Sequence, residues 1–322
     1  MKSLSSPQQI PISRIDFDDP TYRLLPWEED PGPTLTDSIW KYGILHPPFL
    51  QPSGENTYRI VCGRKRLRAA RGIFPDNTVF CRILEKETRQ EEIFSLILEE
   101  ASIGTPLSPA EQIDLLAKLA ERVSMDAALS VLDRLGHKPG SHTLKKLLRL
   151  GTLGKPVLLA LHKGTLQAKC AHKLVFFNEE DRILLVETID SLGLGGSKQQ
   201  QLIDLSLELY KRTNRTLNDI LSGYSERENP AQPSNTPQQA TALLAWLREK
   251  CFPGLSTAEK DFRSRIAALR LPPSMRVEHS PSFESDEIFL TLRFPDWESF
   301  RNALSAVRSA VEPQKRVGGE ES

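Results

Sequence analysis

The sequence predicts a multidomain α+β protein, with a small α/β domain, an all-α middle domain and a small α+β module in that order. Short β-type runs alternate with helical patterns in the first hundred residues, and from Pro106 to Tyr224 helical patterns continue without a convincing strand. Residues 226–239 contain three prolines among Asn, Gln and Ser and almost no apolar side chains that could pack. This composition predicts a linker between domains. The predicted divisions are residues 1–104, 105–224, a linker at 225–240, and 241–322.

The first domain is predicted from apolar runs that are bounded by turn residues. A Pro-Ser-Gly-Glu-Asn turn at residues 52–56 separates two of its strands, and Gly43 closes its first helix. The predicted strands are 10–15 at a sheet edge, 48–51, 57–62 and 78–84, and the predicted helices are 35–42, one that starts at Gly63, and 88–100.

The middle domain begins with a strong helix-start pattern. Ser108 can cap the helix, Pro109 suits its first position, and Glu111 completes a capping box before an apolar face. The further helices predicted here are 124–135, 141–150, 155–162, 165–173, 178–192 and 197–211.

The last module is predicted to combine helices 241–250, 257–269 and 297–310 with strands 275–279 and 287–294. Apolar residues alternate along the second strand from Ile288 to Phe294, which suits a unit with an available sheet edge. We expect a dimer interface here. The rival interpretation is a nucleic-acid grip through Arg263, Arg265 and Arg270.

Charge and cysteine usage limit the class of protein. Lys plus Arg and Asp plus Glu number 42 each, so the net charge by itself identifies no partner. The four cysteines are far apart and lack zinc spacing, which predicts reduced thiols in a cytoplasmic protein. No run of 18 apolar residues occurs, and the N-terminus lacks a secretory pattern, so we expect neither a membrane span nor secretion.

The most informative stretch is a strand that leads through Gly63 into a cationic helix start. Arg64, Lys65, Arg66 and Arg68 lie in its first turns, where cations oppose the helix dipole. A bound anion removes that cost, because a helix N-terminus and guanidinium groups together suit a phosphate. The alternative is a solvated basic face without a ligand.

A second informative stretch runs from Arg134 to Asn178 and contains nine Lys or Arg and no Asp or Glu. In a chain with balanced charge, this segregation predicts contact with the phosphate backbone of double-stranded DNA. Residues 124–135, a turn at 136–140 and residues 141–150 fit a helix-turn-helix, whose second helix packs through leucines. On its other face, Ser141, His142 and Lys145 are predicted to reach base edges, and Lys146 and Arg149 to meet phosphate.

Five segments resemble the ParB and nucleoid-occlusion family of chromosome-segregation proteins, in the same order. GRKRLRAA at 63–70 resembles the family's GERRxRA box, and LTDSIWKYGILHPP at 35–48 resembles its L-x-x-S-I-x-x-x-G-x-x-Q-P segment. The other three are IPISRI at 10–15, LSPAE at 107–111 and the run from Lys146 to Leu174. The resemblance covers roughly residues 8 to 221.

The resemblance implies a ParB-like N-terminal domain, related to the sulfiredoxin fold, that binds CTP with Mg²⁺ and thereby gates a clamp on DNA. The implied phosphate ligands are Gly63, Arg64, Lys65, Arg66 and Arg68; Gly43, His46 and Pro47 would lie beside the base, and Glu100 retains a family acid. Three departures argue against CTP hydrolysis. Arg64 replaces the family's Glu, His46 replaces its Gln, and the Asn and Arg that follow the acid in the family are lost after Glu100.

The resemblance also extends the predicted DNA surface beyond the second helix of the pair. It implies contacts from Gly164, Thr165, Lys169, His172 and Lys173. The complete set of predicted DNA-binding residues is Lys138, Ser141, His142, Thr143, Lys145, Lys146, Arg149, Lys163, Thr165, Lys169, His172 and Lys173. A homodimer, a partition ATPase partner and association with the nucleoid are further implications.

The sequence therefore favours a site-specific DNA-binding protein of chromosome or plasmid partition, or of gene regulation. One alternative is an enzyme on the same N-terminal fold, either a nuclease or a phosphotransferase. Another is a transcription regulator or adaptor whose nucleotide pocket has degenerated. We predict no catalytic residue and no metal ligand set, and Cys62 is interpreted as a buried apolar residue.

Overall fold

The computed structural model describes residues 6–25, 27, 30–225, 236–269, 271, 275–280, 285 and 287–301. The chain divides into two compact units. The first contains residues 1–207 and 216–221, and the second contains residues 208–215 and 222–322. Most of the predicted linker, most of the predicted helix at 297–310 and the tail lie outside the described residues.

The first unit begins with a mixed five-stranded sheet. Its strands are β1 (Gln8–Pro11), β2 (Ile15–Asp16), β3 (Phe49–Pro52), β4 (Tyr58–Cys62) and β5 (Thr78–Ile83), in the order β1-β5-β3-β4-β2. Strands β1 and β5 and strands β3 and β4 pair antiparallel, whereas β3 with β5 and β2 with β4 pair parallel.

The prediction of one edge strand over residues 10–15 is wrong. Pro11 has no N–H for a ladder, and Ile12–Arg14 form a 3₁₀ turn that divides the segment. Strands β1 and β2 consequently lie at opposite edges of the sheet. The predicted apolar character still holds, because Ile10, Ile12 and Ile15 are all buried in the core.

Three helices accompany the sheet: α1 (Pro33–Tyr42), α2 (Arg64–Ile73) and α3 (Gln90–Ile103). The predictions of helices that end before Gly43 and begin after Gly63 are confirmed. Leu67 and Ala70 of α2 are buried beside Leu50 and Ile60 of the sheet, so the apolar face of α2 anchors its cationic start.

The rest of the first unit is helical. Its α4 (Pro109–Arg122) has the predicted capping box, in which Ser108 and Glu111 satisfy each other's backbone N–H groups. The predicted helix 124–135 is interrupted: α5 (Met125–Ser130) gives way to a 3₁₀ turn at Asp133–Leu135. The other helices of the first unit are α6 (Ser141–Leu150), α7 (Lys155–Lys163), α8 (Ala168–Ala171) and α9 (Glu179–Ser191). Two more helices, α10 (Gly196–Thr213) and α11 (Leu217–Ser225), begin in the first unit and end in residues assigned to the second.

The second unit contains α12 (Thr236–Cys251), α13 (Pro253–Ala268) and an antiparallel hairpin of β6 (Met275–His279) and β7 (Ile288–Leu292). The predicted combination of helices and two strands is confirmed for the described residues. The predicted alternation of apolar residues along β7 does not produce one buried face of the strand. Ile288, Phe289 and Leu290 are all exposed.

Within the part of the chain that the structure describes, every helix is too short or too polar to cross a membrane.

Candidate anion site and nucleic-acid interface

Gly63 links β4 to the cationic start of α2. Its φ is +86°, a left-handed conformation, and a Cβ at this position would lie 2.9 Å from the Cβ of Pro48. Both facts favour glycine, which has no Cβ to strain or collide. The tight connection places the N-terminus of α2 at the end of a sheet strand, as the sequence predicts.

Arg64, which is predicted to hold phosphate, forms hydrogen bonds within the protein. Its guanidinium donates hydrogen bonds to the carbonyl oxygens of Phe17 and Asp19, the latter at 2.9 Å. Arg71 stacks over the Phe17 ring, with 4.7 Å between the guanidinium carbon and the ring centroid. Two arginines of α2 therefore fasten the loop that follows β2.

Arg66 brings three predicted site residues together. Its guanidinium donates to the backbone oxygen of His46 and forms an ion pair with the carboxylate of Glu100 at the end of α3. The side chains of Arg66 and Glu100 are 21% and 33% exposed, so a small anion from solvent can reach the pair. An anion that uses Arg66 must compete with Glu100.

The other predicted anion-site residues surround this pair. Lys65 is exposed and Arg68 is half-buried in α2. Gly43, with φ of +71°, and Pro47 lie in the connection between α1 and β3, which Arg66 ties to α2 through His46. The base-side and phosphate-side candidates thus share one end of the domain.

Cys62 lies next to this site and is buried. Burial, with a contribution from the Glu100 carboxylate, raises the pKa of the Cys62 thiol to about 12, although Arg66 acts in the opposite direction. The thiol therefore stays protonated at neutral pH, and its interpretation as a buried apolar residue is confirmed. Among the described residues, no three His, Cys, Asp or Glu side chains are grouped to hold a metal ion.

Helix α6, the second helix of the predicted helix-turn-helix, has two sharply different faces. Leu144, Leu147 and Leu150 are buried. Thr143 is half-buried, and the polar side chains that were predicted to meet DNA are exposed, namely Ser141, His142, Lys145, Lys146 and Arg149. This face is rigidly displayed, because its opposite side is part of the core.

The turn before α6 is fixed to α4. The Nε2 atom of His137 lies 2.9 Å from Oε1 of Gln112, whose amide donates to the backbone oxygen of Leu107. Burial lowers the pKa of His137, so this ring is neutral and structural at neutral pH. Lys138 next to it is exposed.

The predicted contacts after α7 lie close to α6. Lys163 and Lys169 are exposed, and Thr165 is half-buried with its hydroxyl 3.4 Å from the Ala160 oxygen. Burial, together with the positive charge of Lys146, lowers the pKa of His172 to about 4. Because the charge of Lys146 contributes to this pKa shift, the His172 ring lies near Lys146 of α6.

Two of the nine cations of residues 134–178 form ion pairs with carboxylates of the described residues. Arg134 pairs with Glu99 of α3 at 2.7 Å, and Lys173 pairs with Asp204 of α10. Sequence reasoning missed both carboxylates as parts of this surface, since 35 and 31 residues separate the partners and no local pattern connects them. The other seven make no ion pair with described residues: Lys138, Lys145, Lys146, Arg149, Lys155, Lys163 and Lys169.

A mixed five-stranded sheet with a cationic helix start is followed by a mostly helical region that displays a basic α6. The chain is 29% identical over 169 residues to the probable chromosome 1-partitioning protein ParB of Deinococcus radiodurans, and 31% identical over 170 residues to the chromosome-partitioning protein Spo0J of Thermus thermophilus. Over about half of its length the chain is thus similar in sequence to the ParB and Spo0J proteins of chromosome partitioning.

These alignments cover 52% of this chain and 56% and 60% of the two relatives, so the chain spans little more than half of their length. A probable chromosome-partitioning protein ParB of Pseudomonas putida is 28% identical over 145 residues, which is 45% of this chain and 48% of that protein. No family model matches the chain.

Solved structures similar to the chain include the C-terminally truncated ParB of Caulobacter crescentus. Its complex with CTP-gamma-S is 22% identical and covers 58% of this chain and 99% of that chain, with a TM-score of 0.27. Its complex with the centromeric parS site is 24% identical and covers 61% of this chain and 97% of that chain, with a TM-score of 0.28.

Proposed function

We propose that this protein is a ParB-like DNA-binding protein that recognises a specific double-stranded site and serves chromosome or plasmid partition. The observation that carries the proposal is the cationic surface of α6 and the segment after α7. Seven of the nine cations in residues 134–178 make no ion pair with described residues, although the chain as a whole has as many acids as bases.

The proposal assigns base reading and backbone contact to different side chains of this surface. Ser141, His142 and Lys145 at the start of α6 read base edges in the major groove, and Lys146 and Arg149 meet the backbone. Lys163 and Lys169 extend the backbone contact. Burial and the charge of Lys146 lower the pKa of His172 to about 4, so this ring is neutral in the protein without DNA. Binding that rests on several phosphate contacts weakens steeply with salt.

The DNA proposal is tested by selecting a site from random duplexes and measuring affinity by fluorescence anisotropy. Lys145→Ala and Arg149→Ala should each weaken binding about tenfold, since each removes one contact of roughly 1–3 kcal/mol. Lys86→Ala, an exposed lysine of the N-terminal domain, is the charge-matched control. Equal affinities for all three variants would exclude α6 from the interface.

For the N-terminal domain we propose a nucleotide site at the start of α2, with CTP and Mg²⁺ as the ligand that the resemblance to ParB proteins suggests. Arg66 exchanges its Glu100 partner for a phosphate oxygen, while Gly63 and Lys65 complete the cradle. Arg64 keeps its hydrogen bonds to the loop after β2 and positions that loop. Hydrolysis is not part of the proposal.

Equilibrium binding of labelled CTP, ATP and GTP, with Mg²⁺ and with or without the selected DNA, tests this site. CTP should bind selectively, and Arg66→Ala should lose that binding, whereas Lys86→Ala should retain it. Loss of a bidentate phosphate contact costs about tenfold or more in affinity.

A second candidate function is a DNA-binding regulator whose nucleotide pocket has become a purely structural contact. The engagement of Arg64 and Arg66 by backbone oxygens and Glu100 favours it. Under this alternative no nucleotide binds, but DNA binding through α6 is unchanged. The same nucleotide titration therefore separates the two functions.

We further propose a homodimer formed through the second unit, where the hairpin of β6 and β7 exposes apolar side chains. A two-stranded sheet is marginal by itself, and a second copy can extend it at the β7 edge. Cooperation with a partition ATPase and association with the nucleoid are expected from the family and are parts of the same proposal.

A further inference from the structure

The nine cations of residues 134–178 are not equivalent, and the difference follows their order in the chain. Only the first and the last, Arg134 and Lys173, pair with a carboxylate among the described residues. Both carboxylates come from outside the basic segment. Glu99 belongs to α3, before the segment, and Asp204 belongs to α10, after it.

Asp204 is held in place on α10 by two separate contacts. One carboxylate oxygen pairs with Lys173, and the other accepts a hydrogen bond of 2.8 Å from the amide of Gln200. The neighbouring Leu202 and Ile203 are fully buried, so this part of α10 is anchored in the core. The Sγ atom of Cys170 also lies 3.8 Å from Oε1 of Gln200, which places the segment around α8 against the same face.

Glu99, the partner of the first cation of the segment, also belongs to a helix that is anchored in the core. Its helix α3 is anchored by Phe94, Ile97 and Leu98, which are buried. Its partner Arg134 lies in the 3₁₀ turn directly before the connection into α6. The Glu99 carboxylate therefore lies beside the 3₁₀ turn that precedes the connection into α6.

We propose that Glu99 and Asp204 are boundary residues that limit the DNA interface by occupying the first and the last cation of the basic segment. Each neutralises its partner cation and repels phosphates that come close to it, so the duplex relies on the other seven cations. The inference rests on the proposed DNA binding and deepens it, because it assigns which residues limit the extent and affinity of contact.

The energetics of these pairs permit this role. Both pairs are solvent-exposed, with side-chain exposures of 39% to 62%, and such pairs contribute little stability. Phosphates can therefore compete for Arg134 and Lys173. The carboxylate released by such competition stays within a Debye length of about 8 Å of the duplex, where it opposes binding. Removing the charge should consequently add a phosphate contact rather than damage the fold.

The experiment measures the affinity of the full chain for its selected DNA site over a range of salt concentrations. Asp204→Asn and Glu99→Gln should each tighten binding about threefold to tenfold at the lowest salt, and should each steepen the plot of log affinity against log salt by about 0.9, the increment for one added phosphate. Glu187→Gln, which removes an exposed acid of α9 without an ion pair among described residues, is the matched control and should change neither quantity.

A double variant identifies the mechanism. In a Lys173→Ala background, Asp204→Asn should no longer steepen the salt dependence, because the cation that it would release is absent. Wild-type binding with unchanged slopes in both acid variants overturns this inference and leaves the DNA-binding proposal intact. Absence of salt-dependent DNA binding by the wild-type chain overturns the proposed function itself, and the boundary role with it.

Discussion

At Gly63 the backbone leaves β4 and enters α2 within one residue, and two independent constraints meet there. The φ of +86° disfavours any side chain, and an added Cβ would collide with Pro48 at 2.9 Å. Arg66 also approaches this position, since its guanidinium carbon lies 3.2 Å from the point that a Cβ on Gly63 would occupy. The close approach explains how Arg66 reaches across to His46 and Glu100.

Gly63→Ala should lower the free energy of unfolding by about 2 kcal/mol, since a left-handed non-glycine residue and a backbone-adjacent clash both cost energy. Urea denaturation followed by circular dichroism measures the change. Gly72→Ala is the matched control in the same helix: nothing lies within 4 Å of its added Cβ, so it should be neutral or slightly stabilising. Equal effects of the two substitutions would contradict this account of Gly63.

Among the elements, α4 joins three parts of the first unit. Lys118 donates a hydrogen bond to the Pro20 oxygen at 3.2 Å, Gln112 holds His137 in the turn before α6, and Ser108 lies 2.7 Å from Nδ1 of His162 at the end of α7. The helix thus connects the loop that Arg64 fastens with the turn that leads into the proposed DNA-reading helix.

Asp114 of α4 makes stability depend on pH in an unusual direction. Burial raises the pKa of its carboxyl from 3.8 to about 6, although Lys118 and Arg23 oppose the shift. The folded state therefore binds this proton more tightly than the unfolded state, and its contribution to stability falls as pH rises from about 4 to 6. Well above pH 6 the Asp114 carboxylate is charged in both the folded and the unfolded state, and its burial lowers the free energy of unfolding by the full amount.

Asp114→Asn should accordingly raise the free energy of unfolding at pH 7.5 by about 1 kcal/mol, a value reduced for solvent screening because the side chain is 34% exposed. The gain should disappear below about pH 4. Denaturation curves at both pH values measure it, with Asp126→Asn in the exposed first turn of α5 as control. A gain that is equal at both pH values would show that burial of the charge is not its cause.

The elements also show what sequence alone can predict. The capping box of α4 and the glycine start of α2 are predictable because their determinants lie within four residues. The prediction of one strand at 10–15 is wrong because pairing of β1 with distant β5 competes with local propensity. The contacts of Arg64 with Phe17 and of Arg66 with Glu100 span 47 and 34 residues, and only the tertiary fold brings these partners together.

On the scale of the whole molecule, the second unit determines the expected assembly. Ile288, Phe289 and Leu290 are 66%, 50% and 43% exposed along β7. Leu290→Lys should therefore convert the proposed dimer to a monomer at micromolar concentration, because a charge in an apolar interface is costly. Sedimentation equilibrium measures the mass. Phe80→Lys, at an exposed position of β5, should leave it unchanged, and a dimer that survives Leu290→Lys would exclude this edge.

The placement of β1 and β2 at opposite edges of the sheet has a consequence for the order of folding. Residues 8–16 supply both outer strands, and the partner of β1, strand β5, ends only at Ile83. During synthesis, β1 can therefore pair with β5 only after the other strands of the sheet have been translated. Such distant pairing slows folding relative to the locally connected helices of the middle region, so residues 8–16 complete their structure late.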